Sequence, residues 1–460
     1  MNFTNNDNSI MFNIYIGSTF FEEKKYIVET LFSEFIGIEE YQIFASDNKD
    51  YQITHTERDV VIVLQDFFFT NVQDSYLNKA YLPKGYHSIN LDTNRISFPF
   101  GNDKLVFEGS KIYCGADIFA SAFFMLTRWE EVVENEKDQF GRFPEGNSWA
   151  VQNNLEQRPI VNEYAEFLVR LFQKSKIEIH RKSRKFEPLL SHDVDNVARY
   201  DSFKKIASAL GGDILTRKSI RSLTKTFLDV LNIYLLGRKD NYDTFDYLMD
   251  VSEKSKIKSR FYFMPGLIGE YDVRYNYNAK RVKKAYEKVK SRKHIIGIHP
   301  SYNSFLDKDL LSKEKKRLEE ITGLSMKEGR QHYLRCQVPE TWQHWEDVGL
   351  EIDGSMGFSK LIGFRTGSCY RYTVFNVKTR KKLNLKEDTL HVMDIALLSD
   401  NPVSNIFEEV RLLIEEAKKY NGNFSLLWHN NNLFHPSYLK YISMYERLVE
   451  ELKTENDFVV

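Results

Sequence analysis

Four short apolar runs, each cut off by a polar cluster, constrain this chain more than any other feature: EPLLSHDVD from Glu187, SRFYFMPG from Ser259, HIIGIHPSYNS from His294 and NFSLLWHNNN from Asn423. Runs this short, bounded by turn signals, suit buried strands, and helical stretches alternate with them. The clearest helix covers Asn405 to Tyr420, with Ile406, Val410, Leu413, Ile414 and Ala417 on one face and Gly422 as its stop. It delivers the chain into a strand from Phe424 to Trp428. The pattern predicts an α/β fold of parallel β/α units, in which reactive groups gather past the C-terminal ends of the strands.

At 460 residues the chain exceeds one ordinary core, so two domains are expected. Residues 1–180 read as a smaller α/β domain. Its β-like runs include Met11 to Ile16 and Val60 to Leu64, followed by a helix from Asp117 to Glu131 that Asp117 caps and a second from about Asn162 to Gln173. The segment KSKIEIHRKSRK, Lys174 to Lys185, marks the boundary, either as a solvated linker or as a phosphate-binding patch. Residues 181–460 form the second domain, with a helical insertion at about 200–240.

Charge excludes some partners. Lys plus Arg is 64 against 65 for Asp plus Glu, a net charge of -1, so no global attraction to nucleic acid or an anionic membrane exists and any charged partner must be met locally. Cys114, Cys336 and Cys369 are odd in number and widely spaced, which argues against a disulfide framework or zinc ribbon and for a reducing compartment. No apolar window reaches 18 residues and no signal-like run opens the chain, so a soluble cytoplasmic protein without a membrane span is expected. The 34 Phe and 26 Tyr suit both large cores and sugar-stacking clefts.

The polar clusters carry the chemistry. Asp193 and Asp195 are two apart, so on a continuing strand both face one side, where two carboxylates repel unless a cation or proton lies between them. Such a pair can equally cap a helix. Two further strand ends add His299, with Asn303 four residues on, and His429. Asp and His with one more oxygen or nitrogen donor and an open position for water describe a mononuclear hydrolytic zinc site.

In the same order, these clusters resemble the motifs of the polysaccharide deacetylase family, carbohydrate esterase family four, over roughly residues 186 to 435. SHDVD resembles the first motif, which implies Asp193 as catalytic base and Asp195 as metal ligand. GIHPSYNS resembles the histidine motif, with His299 as a ligand and Asn303 where a second His belongs. RQHY resembles an RxPY motif, which implies that Arg330 orients Asp193, that the Tyr333 N–H meets the oxyanion, and that His332 replaces a proline at the substrate cleft. LWH resembles the closing motif, which implies His429 as general acid and Leu427 as a wall of the acyl-methyl pocket. ETWQHWEDVGLEIDGSMGF resembles the helix and strand end that follow the third motif.

The resemblance implies a distorted (β/α) barrel of about seven strands holding Zn²⁺ or another divalent transition metal. It further implies removal of an N-acetyl or other N-acyl group from an amino sugar in a surface polysaccharide or its precursor. The expected metal triad is Asp195, His299 and Asn303. The stretches GADIFASAFFMLTRWEEV and DQFGRF resemble the N-terminal domain of a branch associated with surface-polysaccharide synthesis, without implying its role. Outside the motifs, Arg365 in GFRTGS is a candidate for an acidic substrate group or a plain turn residue, and Asp394 for a site carboxylate or a cap. Two other functions stay open: hydrolysis of a small non-sugar amide, and glycan binding without catalysis. The oligomeric state is not fixed by the sequence.

Overall fold

The computed structural model describes residues 11–453 apart from 74, 93, 201–202, 216–217, 266–270, 273–276, 278, 398–402 and 435–437. The N-terminal third contains strands β1 (Phe12–Gly17), β2 (Tyr41–Ser46), β3 (Tyr51–His55), β4 (Val61–Leu64), β5 (His87–Leu91), β6 (Asn94–Phe98), β7 (Gly101–Glu108) and β8 (Lys111–Ala116). Six form a mixed sheet in the order β2-β1-β3-β4-β8-β7, while β5 and β6 pair as a hairpin. In β1 the alternation of Phe12, Ile14 and Ile16 with half-buried residues sends every second side chain into the core. The helix expected after Gly115 starts where Asp117 accepts the N–H of Ala120 at 2.9 Å, but it is broken at Arg128, whose φ of 51° interrupts the apolar face.

The remaining strands are β9 (Glu187–Val194), β10 (Arg260–Phe263), β11 (Ile295–Ile298), β12 (Glu328–Gly329), β13 (Ile352–Asp353), β14 (Tyr372–Asn376), β15 (Lys381–Glu387), β16 (Val392–Met393) and β17 (Asn423–Leu427). They form one sheet, β14-β15-β13-β12-β11-β10-β9-β17-β16, parallel except for the β14–β15 hairpin. Helices Lys280–Ser291, Lys308–Thr322, Glu340–Asp347 and Val403–Lys419 supply crossovers. Gly329 lets β12 approach β11, since a Cβ there would lie 2.1 Å from the Ile298 carbonyl oxygen.

The fold is α/β, but among the described residues no ladder closes the sheet into the expected barrel. Instead β15 and β16, separated only by residues 388–391, border opposite ends of the run β13-β12-β11-β10-β9-β17. One parallel bridge, Gly357 with Leu390, joins the same two ends.

The two halves share one apolar core. Tyr26 and Tyr76 donate to the carbonyls of Thr373 and Val377, and Tyr372 donates to that of Leu126. In the basic segment, Lys174, Arg181 and Lys182 are paired with Asp92, Glu166 and Glu39, as befits a linker. A cavity of about 1150 Å³ beside it, lined in part by Arg158, Arg170, Arg181 and Glu163, shares no residue with the strand-end site. Among the described residues no helix is long and apolar enough to cross a membrane.

Candidate active site

Because β9 to β13, β16 and β17 run parallel, their C-terminal ends open on one side, and the period of two sorts the residues of SHDVD. His192 turns into the core, where its Nδ1 lies 2.9 Å from the Trp428 carbonyl and burial pushes its pKa down to about 4. Ser191 and Asp193 turn the other way, to Arg330. The Arg330 guanidinium donates to Asp193 Oδ1 at 2.8 Å, to Ser191 Oγ at 3.0 Å and to the Gly354 carbonyl at 2.8 Å. Both charges are buried, so the Arg330 and Asp193 side chains fix each other.

Next to this pair, Asp195 meets two imidazoles. His299 Nε2 lies 3.5 Å from Asp195 Oδ1 and 3.9 Å from Asp193 Oδ2, and His332 Nε2 lies 3.8 Å from Asp195 Oδ1. Each ring is oriented from behind. His299 Nδ1–H donates to the Arg330 carbonyl at 2.6 Å, and His332 Nδ1–H donates to Asp272 at 2.8 Å, which leaves both Nε2 lone pairs facing the carboxylate. Burial opposes a charge on Asp195, yet His299, His429 and His332, where their rings carry the proton, hold its carboxyl well below the usual range.

Asp195, His299 and His332 can each offer one donor atom within 4.8 Å of the others. Asp195 Oδ1 and His299 Nε2 are buried without a hydrogen-bond partner, a costly arrangement that a cation would relieve. One carboxylate and two imidazoles with oriented outer partners fit a divalent transition metal.

The third position corrects the sequence expectation. Asn303 is exposed and only opens the short turn Ser304–Leu306. His299 precedes Pro300, which disfavours helical geometry at His299, so the chain makes no helical turn to bring residue 303 back. The Ser301 and Tyr302 N–H groups are instead bound by Glu314 and Asp272. The second imidazole comes from the neighbouring strand end, at His332. His294 lies between the Ser259 N–H and Glu253, outside the cluster.

Across the site, Asp394 accepts from His429 Nδ1–H at 2.7 Å and from its backbone N–H at 2.9 Å. His429 Nε2 thereby faces Asp195 Oδ2 at 4.0 Å. Burial alone would lower the His429 pKa, but Asp394 beside it, helped by Asp195, lifts it to about 10. Leu427, fully buried, packs with Leu334, Leu390 and Met393 in a small apolar cluster separate from the main core.

Arg365 is not available to a substrate. Its Nε and Nη2 donate to Glu131 and its Nη1 to the Gly357 carbonyl, while Arg128 donates to both Glu130 and Glu131. This buried network ties the two halves together, and its partners, 234 positions apart, gave no local signal. Tyr333 and Leu334 adopt left-handed backbone, with φ of 61° and 52°. From the N-terminal half, Arg142, itself bonded to Asp138, donates to the Tyr333 carbonyl at 3.0 Å, and Phe140 packs on the Tyr333 ring. Asp272, Asp138 and Arg142 are site residues that sequence reasoning missed; only the DQFGRF resemblance pointed near the last two.

Residues 12–177 match the model of a family of unknown function, DUF7033. Among solved structures, the chain resembles a protein assigned as a polysaccharide deacetylase from Mycobacterium smegmatis at 14% identity and a TM-score of 0.38, over 61% of this chain and 88% of that one. It also resembles IcaB from Ammonifex degensii at 13% identity and a TM-score of 0.22, over 38% and 85% of the two chains. A mutant of a CE4 family pseudoenzyme matches at 11% identity and a TM-score of 0.29, over 60% of this chain and 64% of that chain. No curated protein matches.

Proposed function

We propose that this chain is a metal-dependent deacylase that removes an N-acetyl or other N-acyl group from an amino sugar of a surface polysaccharide or its precursor. The reading is carried by the buried, unpartnered Asp195 Oδ1 and His299 Nε2, set between an arginine-held carboxylate and a carboxylate-held imidazole. Zn²⁺ or another divalent ion held by Asp195, His299 and His332 would polarise the acyl carbonyl and acidify a water. Asp193 receives the proton of the attacking water, and Arg330 fixes the carboxylate for that task. The Tyr333 N–H stabilises the oxyanion. His429, kept protonated by Asp394, gives its proton to the departing amine. Leu427 and its apolar neighbours enclose the acyl methyl.

In this reading residues 181–460 are the catalytic domain, a barrel of β9 to β13, β16 and β17, and residues 1–180 contribute the loop that braces Tyr333. The departures from the family motifs at Asn303 and His332 favour an inactive glycan binder, a reading that weakens when His332 serves as the second imidazole.

Acetate release from a panel of N-acetylated glycans, with and without chelator, tests the reading. Asp193→Asn is expected to retain zinc and lose turnover by roughly 10²–10⁴-fold, the scale of general base catalysis. Hydrolysis of small amides but no sugar would favour the amidohydrolase alternative, and metal binding with no hydrolysis would favour the binder. Arg142→Ala is expected to lower kcat while KM and zinc content hold. The loss should stay below the roughly 10²–10³-fold cost of a whole oxyanion donor, because the Tyr333 N–H is loosened rather than removed. A change in KM alone would place Arg142 in substrate binding instead.

A further inference from the structure

The insertion after β9 is a helical hairpin, Phe203–Leu215 and Ile220–Leu235, with an outer face that none of the described residues covers. Its inner side is specified: Thr226 donates to Asp213 at 2.6 Å, Tyr234 donates to the Tyr200 carbonyl at 2.6 Å, and Ile233 is buried. Outside, Ile220, Phe227, Leu231 and Leu235 recur at helical spacing along one exposed stripe. Ile220 is 83% exposed, Phe203 86% and Leu215 76%. Of the nineteen large apolar residues that stand exposed among the described residues, ten lie in this hairpin, so the pattern is a patch rather than scatter.

Charge accompanies the patch. Residues 203–235 contain six Lys or Arg and two Asp, a net of +4 in a chain whose total is -1. On the second helix, Arg221 and Lys225 flank the apolar stripe. A second copy of the chain is a poor occupant, because pairing the two hairpins would bring +4 against +4. At about 24 Å the 16-residue second helix is too short to span a hydrocarbon core of about 30 Å. An apolar stripe edged by basic side chains is the pattern of a helix lying in a headgroup plane, its rings and leucines in the acyl boundary and its Lys and Arg on lipid phosphates.

We propose that this hairpin docks the protein onto an anionic lipid surface. Its base is pinned beside the site: the Arg199 and Tyr200 N–H groups donate to Asp240, and Asn430, adjacent to His429, donates to the carbonyls of Asn196 and Tyr242. Docking does not depend on the deacylase reading. Only its corollary rests on that reading, namely that the glycan reaching the site is one carried on a lipid.

The test is sedimentation of the full chain with vesicles of phosphatidylcholine alone or mixed with phosphatidylglycerol. Binding is expected to the mixed vesicles and not to phosphatidylcholine alone. Phe227→Asp with Leu231→Asp should abolish it, and Arg221→Gln with Lys225→Gln should lower partition roughly 30-fold, the effect of two basic contacts near an anionic surface. Circular dichroism and zinc content of these variants should match the parent. The proposal is overturned if the parent ignores anionic vesicles or the variants bind equally. It is also overturned if the parent is a dimer that the apolar double variant converts to monomer. Vesicle binding without any glycan hydrolysis would uphold docking and sink only the deacylase reading.

Discussion

Replacing His332 by alanine is expected to strip the cluster of its metal affinity, whereas replacing Asn303 by alanine should leave that affinity unchanged. His299 and His332 present Nε2 to the same oxygen of Asp195, and removing either leaves one imidazole and one carboxylate, too few donors for a tetrahedral protein site that must also keep a position open. The loss should exceed the roughly 10–100-fold that follows from disturbing an outer partner of a ligand. Asp272→Asn, which leaves His332 in place but weakens the group behind it, should fall inside that range. Zinc affinity measured against a competing chelator decides the matter. Retention in His332→Ala together with loss in Asn303→Ala would return the third ligand to position 303.

His429→Ala should leave zinc content intact and slow the chemical step by roughly 10²–10⁴-fold, the usual contribution of a general acid. Asp394→Asn provides a finer reading of the same device. The carboxylate raises the His429 pKa to about 10, so the imidazolium persists well above neutrality and activity that needs it falls only as pH rises through that value. Without the Asp394 charge the His429 pKa drops, and the basic limb of the pH–rate profile should move to lower pH. A basic limb that stays in place would assign that ionisation to another group.

The strand ends were legible because a parallel strand announces itself locally: a buried run, then a polar cluster. That is why Asp193, Asp195, His299 and His429 come together as their positions imply. Asn303 failed for a reason partly present in the sequence, since Pro300 disfavours helical geometry at His299, the residue that would have had to start the turn. His332 replaces it through the pairing of β11 with β12, a relation between strands that spacing along one segment does not carry. Asp272 and Glu131 act on residues 60 and 234 positions away, His332 and Arg365, and neither sits in a strand-end pattern. Arg365 looked available because charge pairing at such separation has no local trace. The insertion at about 200–240 was visible as surplus length, but its outward apolar face depends on which side packs, and only the folded hairpin decides that.

The placement of β9 between β10 and β17 also orders events in time. β10 begins at Arg260, 66 positions past the end of β9 at Val194, whereas His192 meets its partner Trp428 across 236 positions. A chain made from its N-terminus therefore carries β9 with one bare edge, flanked by Leu189 and Leu190, until Asn423–Leu427 has left the ribosome. Such an edge is open to pairing with other nascent chains. Closing so long a loop is slow, because its entropy is lost before any contact repays it. Asp193 and His429 thus become neighbours only after β17 has been made, and conditions that delay this strand are the ones under which this protein is most exposed to aggregation.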